Sequence, residues 1–422
     1  MLGTEERLCH TRSERILAKR KRVFSGMRPT GRLHLGHYFG ALSNWVKLQD
    51  EYDCFFCVVD WHALTTHYED TSSVAQNTLE VATDWLAAGL DPAKSILFIQ
   101  SSVLEHAELH LLLSMITPLG WLERVPTYKE QIANLKDRDL GTYGFLGYPL
   151  LQTADITLYD GNLVPVGEDQ VPHIELAREI ARRFNAAFSE VNWKRAKARG
   201  IAQLEKELGL PEISEGLTSA KSRARIDTAL EPLSIDHRLS LLANAGLSHE
   251  ELLVQPESML TETPRLPGTD GRRMAKSYGN AIWLSDPPDE IRNKVRNMLT
   301  DPQRVRRNDP GRPEVCPVFA YHKLFSLPET SAKIDIDCRT AAIGCVDCKK
   351  LMAENLVTWI EPIQTRRKEF EAHPRQVWDI LDAGSKRAHA AAKKTMKRVR
   401  NAIFKWDEAR KSRASSTAAS RA

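Results

Sequence analysis

The chain has 422 residues, 42% of them hydrophobic, 27% charged and 21 of them proline, a balance that excludes a single small module and a disordered or fibrous chain. Net charge is only +4, yet residues 366–413 alone hold 15 Lys/Arg against 6 Asp/Glu, so the remainder is net acidic and the C-terminal stretch is a candidate polyanion-binding region. The longest apolar run is the six residues Cys54 to Val59, far short of the roughly 20 a membrane-spanning helix needs. The first 22 residues interleave Arg7, Arg12 and Arg15 with Glu5, Glu6 and Glu14 and carry no apolar signal segment, which reads as cytoplasmic.

In chain order, Arg22 to Met27 reads as a strand that ends at the turn Arg28-Pro29-Thr30-Gly31. A helix follows from His34 to about Leu48, with Leu35, Phe39, Leu42 and Trp45/Val46 as its apolar stripe. Cys54 to Val59 has the unbroken apolarity of a central parallel strand. A helix at 72–88, a strand at Ser95 to Ile99, a helix at 106–116, a strand at Leu163 to Val166 and a helix running to Phe184 complete an alternating α/β pattern. Ligands of such sheets bind beyond the carboxyl ends of the strands, where the polar turns 28–37 and 167–173 lie.

Residues 192–255 are helix-rich and charge-balanced, as expected of an inserted helical module. Loop chemistry returns over 256–300, and the chain beyond Asp301 reads as mostly helical to about 411, before a polar tail at 412–422. In the helix around 386–406, Ala392, Met396, Val399, Ile403 and Trp406 form one apolar face that reads as core. Lys393, Lys394, Lys397, Arg398 and Arg400 form the rest, a candidate RNA surface.

His34-Leu35-Gly36-His37 follows a strand and a Pro/Gly turn at a helix start, where unpaired backbone N–H groups favour phosphate. Gly36 permits close approach, and two imidazoles supply further donors; the tetrapeptide alone also fits an incidental pair. Arg273-Met274-Ala275-Lys276-Ser277, flanked by Gly268, Gly271 and Gly279, fits a loop that closes over a polyphosphate, or an ordinary basic surface loop. Cys54 and Cys57 share a strand and point to opposite faces, so they read as core. Cys316, Cys338, Cys345 and Cys348 gather four thiols in 33 residues, a set suited to a [4Fe–4S] cluster or to tetrahedral zinc.

The HLGH tetrapeptide and the RMAKS loop together resemble the two signatures of class I aminoacyl-tRNA synthetases. Five ordered segments, SGMRPTGRLHLGH, VVDWHALTTHYED, QTADITLYD, VPVGEDQVPHIELAREIARRFN and LPGTDGRRMAKSYGN, resemble landmarks of the tryptophanyl-tRNA synthetase family across 22–190 and 256 to about 405. The resemblance implies an N-terminal extension at 1–21, a Rossmann-like parallel-sheet catalytic domain at 22–190 that resumes at 256–300, and a C-terminal α-helical anticodon-binding domain at 301–411. It implies a homodimer that uses ATP, Mg²⁺, L-tryptophan and tRNA-Trp. By the same resemblance His34, His37 and Lys129 contact ATP phosphates, and Lys276 and Ser277 hold the departing pyrophosphate. Arg28, Gly36, Gly167, Asp169 and Met274 face ATP. Phe24, His62 and Val166 line the indole pocket, Tyr148 and Gln170 hold the α-amino group, and Asp155 accepts the indole N–H. A branch of the bacterial enzymes carries a similar cysteine quartet holding a [4Fe–4S] cluster. RMAKS departs from the family's KMSKS at Arg273 and Ala275, and Arg28 stands where many members have glutamine. A tyrosyl-tRNA synthetase and a catalytically weak RNA-binding or regulatory paralogue are the rival readings.

Overall fold

The computed structural model describes residues 20–125, 141–211, 220–260, 266–406 and 409. They divide into two compact units: the described parts of Met1–Ile99, Pro165–Gly167 and Leu260–Ser385, and those of Gln100–Val164, Glu168–Met259 and Lys386–Ala422. The division follows contact rather than chain order, because the chain leaves the first unit and returns to it.

The strands are β1 (Arg22–Met27), β2 (Asp53–Val58), β3 (Ile96–Ile99), β4 (Leu163–Val166) and β5 (Glu257–Leu260), in the sheet order β3-β2-β1-β4-β5. The β1–β2 and β2–β3 ladders are parallel, with Phe24 opposite Phe55 and Cys57 opposite Phe98. Strand order reverses between β1 and β4, and such a reversal opens a crevice at the carboxyl ends of the strands. Met27 and Val166 end those two strands.

In the first unit, α1 (Ser43–Leu48) continues a π-helical turn, Tyr38–Leu42, that starts from the short helix Leu35–His37. Trp45 stacks on Phe56 at 4.6 Å and meets Trp85 edge-on at 5.4 Å, which locks α1 and α3 (Val74–Ala88) to the sheet. Between β2 and α3 lies α2 (Asp60–His67), which the sequence reading missed because its residues do not form an apolar stripe. Gly89 ends α3 at φ +113°, a conformation glycine alone adopts readily.

The remaining helices of this unit are α10 (Pro288–Arg296), α11 (Pro317–Phe325), α12 (Pro328–Arg339), the 28-residue α13 (Cys345–Ala372) and the first part of α14 (Pro374–Phe404). A Cβ at Gly384 of α14 would lie 1.8 Å from the Leu97 carbonyl, so only glycine allows this helix so close to β3.

The second unit holds α4 (Glu105–Ser114), α5 (Tyr148–Thr157) and α6 (Val171–Phe188). The helices α7 (Ala198–Glu207), α8 (Ala220–Leu230) and α9 (Ile235–Asn244) surround a core of their own, with Ile201, Leu204, Ile226, Leu230 and Leu242 at its centre. The later part of α14 buries Ala392, Met396 and Val399 as its periodicity predicts, but Ile403 is half-buried and Trp406 is exposed, stacked on Phe404 at 4.5 Å. The expected basic face is also reduced: Arg398 pairs with Asp160 and Arg400 with Glu108, which leaves Lys393, Lys394 and Lys397 exposed. Composition counts cations and cannot see the carboxylates that neutralise them.

Candidate functional site

His34 is the N-cap of the helix after the Pro/Gly turn, and the cap is reciprocal. Its Nδ1 accepts the His37 N–H at 3.3 Å, while His37 Nδ1 accepts the His34 N–H at 3.4 Å. The rings stack at 3.7 Å. With each Nδ1 acting as acceptor, each neutral ring carries its proton on Nε2. Burial pushes His34 down to about 4, with Lys276 and Arg273 adding to the shift. Burial, then His34, Lys276 and Arg273, push His37 down to about 3. Both are therefore neutral near pH 7 and able to donate one ring hydrogen bond each. Gly36 is confined, since a Cβ would lie 2.9 Å from His34 Nδ1.

The RMAKS loop lies against this turn. The buried Met274 turns its Sδ to the Gly36 N–H at 3.4 Å, and Lys276 Nζ donates to the Thr30 carbonyl, 5.2 Å above the Trp283 ring. Burial lowers the Lys276 pKa, opposed by Asp84 and aided by Arg32. Asn280 holds the loop: its Oδ1 accepts the Ala275 N–H at 2.9 Å, and its Nδ2 donates to Asp270 at 2.7 Å and to the Arg273 carbonyl at 3.0 Å. Ser277 is exposed in the short helical turn Lys276–Tyr278. Arg28 donates to Thr66 Oγ1 on α2. The first unit thus gathers His34, Gly36, His37, Met274 and Lys276. It also holds Phe24 in β1, His62 in α2, Val166 at the end of β4, and Gly167.

Asp155, on α5 in the second unit, is 1% exposed. Gln100 Nε2 donates to both its oxygens at 2.8 and 2.9 Å, and His106 Nδ1 lies 2.6 Å from Oδ1. His106 Nε2 continues the chain to the Tyr159 hydroxyl at 2.6 Å. Tyr148 meets His173 Nε2 at 2.6 Å, and Gln170 donates to Asp169 at 3.0 Å. Lys129 lies outside the described residues.

Cys54 and Cys57 are buried in β2, and burial pushes the Cys54 thiol up to about 12. Cys316 directly precedes α11, Cys338 is near the end of α12, and Cys345 and Cys348 open α13. Burial pushes Cys348 up to about 12, and Cys316, Cys338 and Cys345 add to the shift. Cys338 is raised by burial and by Cys316 and Cys345, against Arg304, whose Nη1 lies 3.6 Å from its Sγ. Cys338 and Cys348 thus each lie within electrostatic reach of Cys316 and Cys345. Among the described residues, no three His, Cys, Asp or Glu side chains form a group that could hold a metal ion.

A model of the class I tRNA synthetases for tryptophan and tyrosine matches residues 18–198 and 241–361, both signature motifs included. A tryptophan–tRNA ligase of Ralstonia nicotianae is 48% identical over 392 residues, spanning 91% of this chain and 98% of that protein. The chain belongs to the tryptophanyl-tRNA synthetase family. The tryptophan–tRNA ligase of Thermotoga maritima is 46% identical over 90% of this chain and 98% of its own length. The Campylobacter jejuni tryptophanyl-tRNA synthetase, solved with ADP and tryptophan, superposes with a TM-score of 0.69 at 28% identity over 90% of this chain and 99% of that one.

The match leaves out 199–240, which contains α8 and all of α7 but its first residue. Several polar residues around the family motifs escaped sequence reasoning: Gln100, His106 and Tyr159 around Asp155, Asn280 under the loop, and Asp84 behind Leu33. A signal existed for the first three, since a buried carboxylate requires donors.

Proposed function

We propose that the chain joins L-tryptophan to ATP as tryptophanyl-adenylate and transfers the tryptophanyl group to the 3′ end of tRNA-Trp. The observation that carries this reading is the Lys276 loop lying on the reciprocal His34–His37 cap, in a chain that matches tryptophan–tRNA ligases over nine-tenths of its length. The tryptophan carboxylate attacks the α-phosphate, pyrophosphate leaves, and the protein's contribution is alignment and charge. The Nε2–H groups of His34 and His37 donate to phosphate oxygens, and Arg28, Gly36, Gly167, Asp169 and Met274 face ATP, which carries Mg²⁺. Lys276, Ser277 and Lys129 follow the charge that moves onto pyrophosphate. Phe24, His62 and Val166 line the indole pocket, Tyr148 and Gln170 hold the amino group, and Asp155 takes the indole N–H. Indole has a single polar atom, a donor, and a carboxylate is its natural acceptor.

The exposed Leu104, Leu111, Met115, Leu119 and Tyr143 support the homodimer, because so many apolar side chains facing water favour a partner. Cys316, Cys338, Cys345 and Cys348 would hold a [4Fe–4S] cluster, which supplies a rigid cross-link between the starts of α11 and α13 and the end of α12. What supports this reading is the chemistry of the set, four cysteines within 33 residues, the number of thiolates that a [4Fe–4S] cluster takes.

Pyrophosphate exchange into ATP, run in parallel with tryptophan, tyrosine and phenylalanine, tests the activity. Exchange with tryptophan alone supports it, exchange with tyrosine favours the tyrosyl enzyme, and none with any favours a non-catalytic paralogue. Iron, sulfide and zinc analysis after anaerobic purification tests the cluster. Cys345→Ser is expected to abolish broad visible absorption and to lower tRNA charging while exchange is nearly retained; stoichiometric zinc without iron would replace the cluster by a zinc site.

A further inference from the structure

α13 carries a group of polar side chains near its end that hold the nucleotide turn from behind. Arg367, 3% exposed, binds Asp84 and Glu80 of α3, and its Nε lies 3.0 Å from Glu371. Asp84 is fully buried, and its Oδ2 accepts the Leu33 N–H at 2.6 Å. Leu33 directly precedes His34. One turn earlier on α13, Gln364 Nε2 donates to the carbonyls of Leu284 at 3.0 Å and Asp286 at 2.7 Å. The Leu284 N–H in turn bonds the Leu33 carbonyl at 2.9 Å, and the Leu35 N–H bonds the Ile282 carbonyl at 2.9 Å. Arg366 Nε fixes the same turn of α13 to the Ala87 carbonyl at 2.6 Å. Leu33 is therefore held on its N–H side by a carboxylate and on its C=O side by the 282–284 segment, and α13 grips both.

A hydrogen bond from a backbone N–H to an ionised carboxylate is among the stronger kinds, and a buried carboxylate stays ionised only with a paired cation. Arg367 supplies that cation. The aim of the His34 and His37 Nε2–H groups depends on the cap, and the cap depends on where Leu33 places the His34 backbone. Misplacement of such donors by a fraction of an ångström weakens transition-state contacts.

We propose that Arg367, acting through Asp84, is a positioning residue for ATP: it fixes the Leu33–His34 backbone so that the two imidazoles face the phosphates. This rests on the reading of residues 34–37 as the phosphate site. A purely structural pair would only fasten α13 to α3, and its loss would lower stability and the active fraction while leaving both KM values unchanged. Of the two KM values, loss of a positioning pair raises only that for ATP.

The test is pyrophosphate exchange with ATP and tryptophan varied separately, in the wild type, Arg367→Met and Arg367→Lys, with thermal melting in parallel. Arg367→Met is expected to raise the ATP KM on the order of tenfold and to lower kcat. Arg367→Lys should recover part of that loss, and the tryptophan KM should stay within about twofold in both variants. An unchanged ATP KM, or equal rises in both KM values, overturns the proposal. If Arg367→Met does not fold, the ATP KM of Arg367→Lys decides by the same criterion. A wild type without tryptophan-dependent exchange would remove the phosphate-site reading itself, a failure distinct from an active wild type whose variants keep their ATP KM.

Discussion

The 34–37 turn and the surroundings of Asp155 are built in opposite ways. At 34–37 the polar side chains are satisfied by their own backbone: each imidazole spends Nδ1 on the other's N–H and retains one ring donor. At 155 a buried carboxylate is met by side chains from outside its own helix, Gln100 after β3 and His106 on α4. A donor pair for an anion can thus be made by one local cap. A buried acceptor needs partners brought from elsewhere in the fold, because an uncompensated carboxylate in the core is costly. The first is assembled from residues adjacent in the chain, the second from separate elements.

The largest effect is expected at Asp155. Asp155→Asn keeps the volume but presents an amide that can donate, so tryptophan should lose most of its advantage over phenylalanine. Sites that pair a substrate donor discriminate by roughly 10⁴, which bounds the effect. The ratio of kcat/KM for the two amino acids measures it, and a ratio that survives would show that Asp155 does not read the indole.

At the nucleotide turn the largest single loss is expected from Lys276→Ala. A cation that follows charge onto pyrophosphate acts in the transition state, so exchange should fall by about 10²–10³ while tryptophan affinity is kept. Equal exchange rates in variant and wild type would show that the loop is not catalytic.

The smallest effect is in pH dependence. His34 and His37 lie at about 4 and about 3 in the folded chain against an ordinary 6.5, so the unfolded chain takes up their protons first as pH falls. Their contribution to stability is complete above pH 6.5 and declines as pH drops through 6.5 towards 4. Asp84 works in the other direction, since burial raises it to about 6 and its contribution is lost as pH rises from 3.8 to 6. Thermal melting of the wild type and His37→Gln across that window separates them: the wild type should lose more stability on acidification. Parallel curves would show that His37 is not kept neutral by the cap.

What was legible in the sequence was local. β4 has the bounds its apolar run gives, and β2 differs by one residue at each end. The His34–His37 turn and the 273–277 loop were visible because each is a short contiguous string of residues. The donors to Asp155 come from 55 and 49 residues away, and Arg367 reaches Asp84 across 283 residues, separations at which no periodicity operates. Basic residues 398 and 400 read as free surface for the same reason. Their carboxylates, Asp160 and Glu108, lie on distant elements.

Pro362 sits inside α13, after the cysteines that open the helix and just before Gln364 and Arg367. Having no N–H, it withdraws the donor that the Thr358 carbonyl would receive in an unbroken helix, and its ring crowds that carbonyl. The helix therefore lacks one ladder hydrogen bond between its cysteine end and the turn that carries Gln364 and Arg367, and a helix missing such a bond bends first at that point.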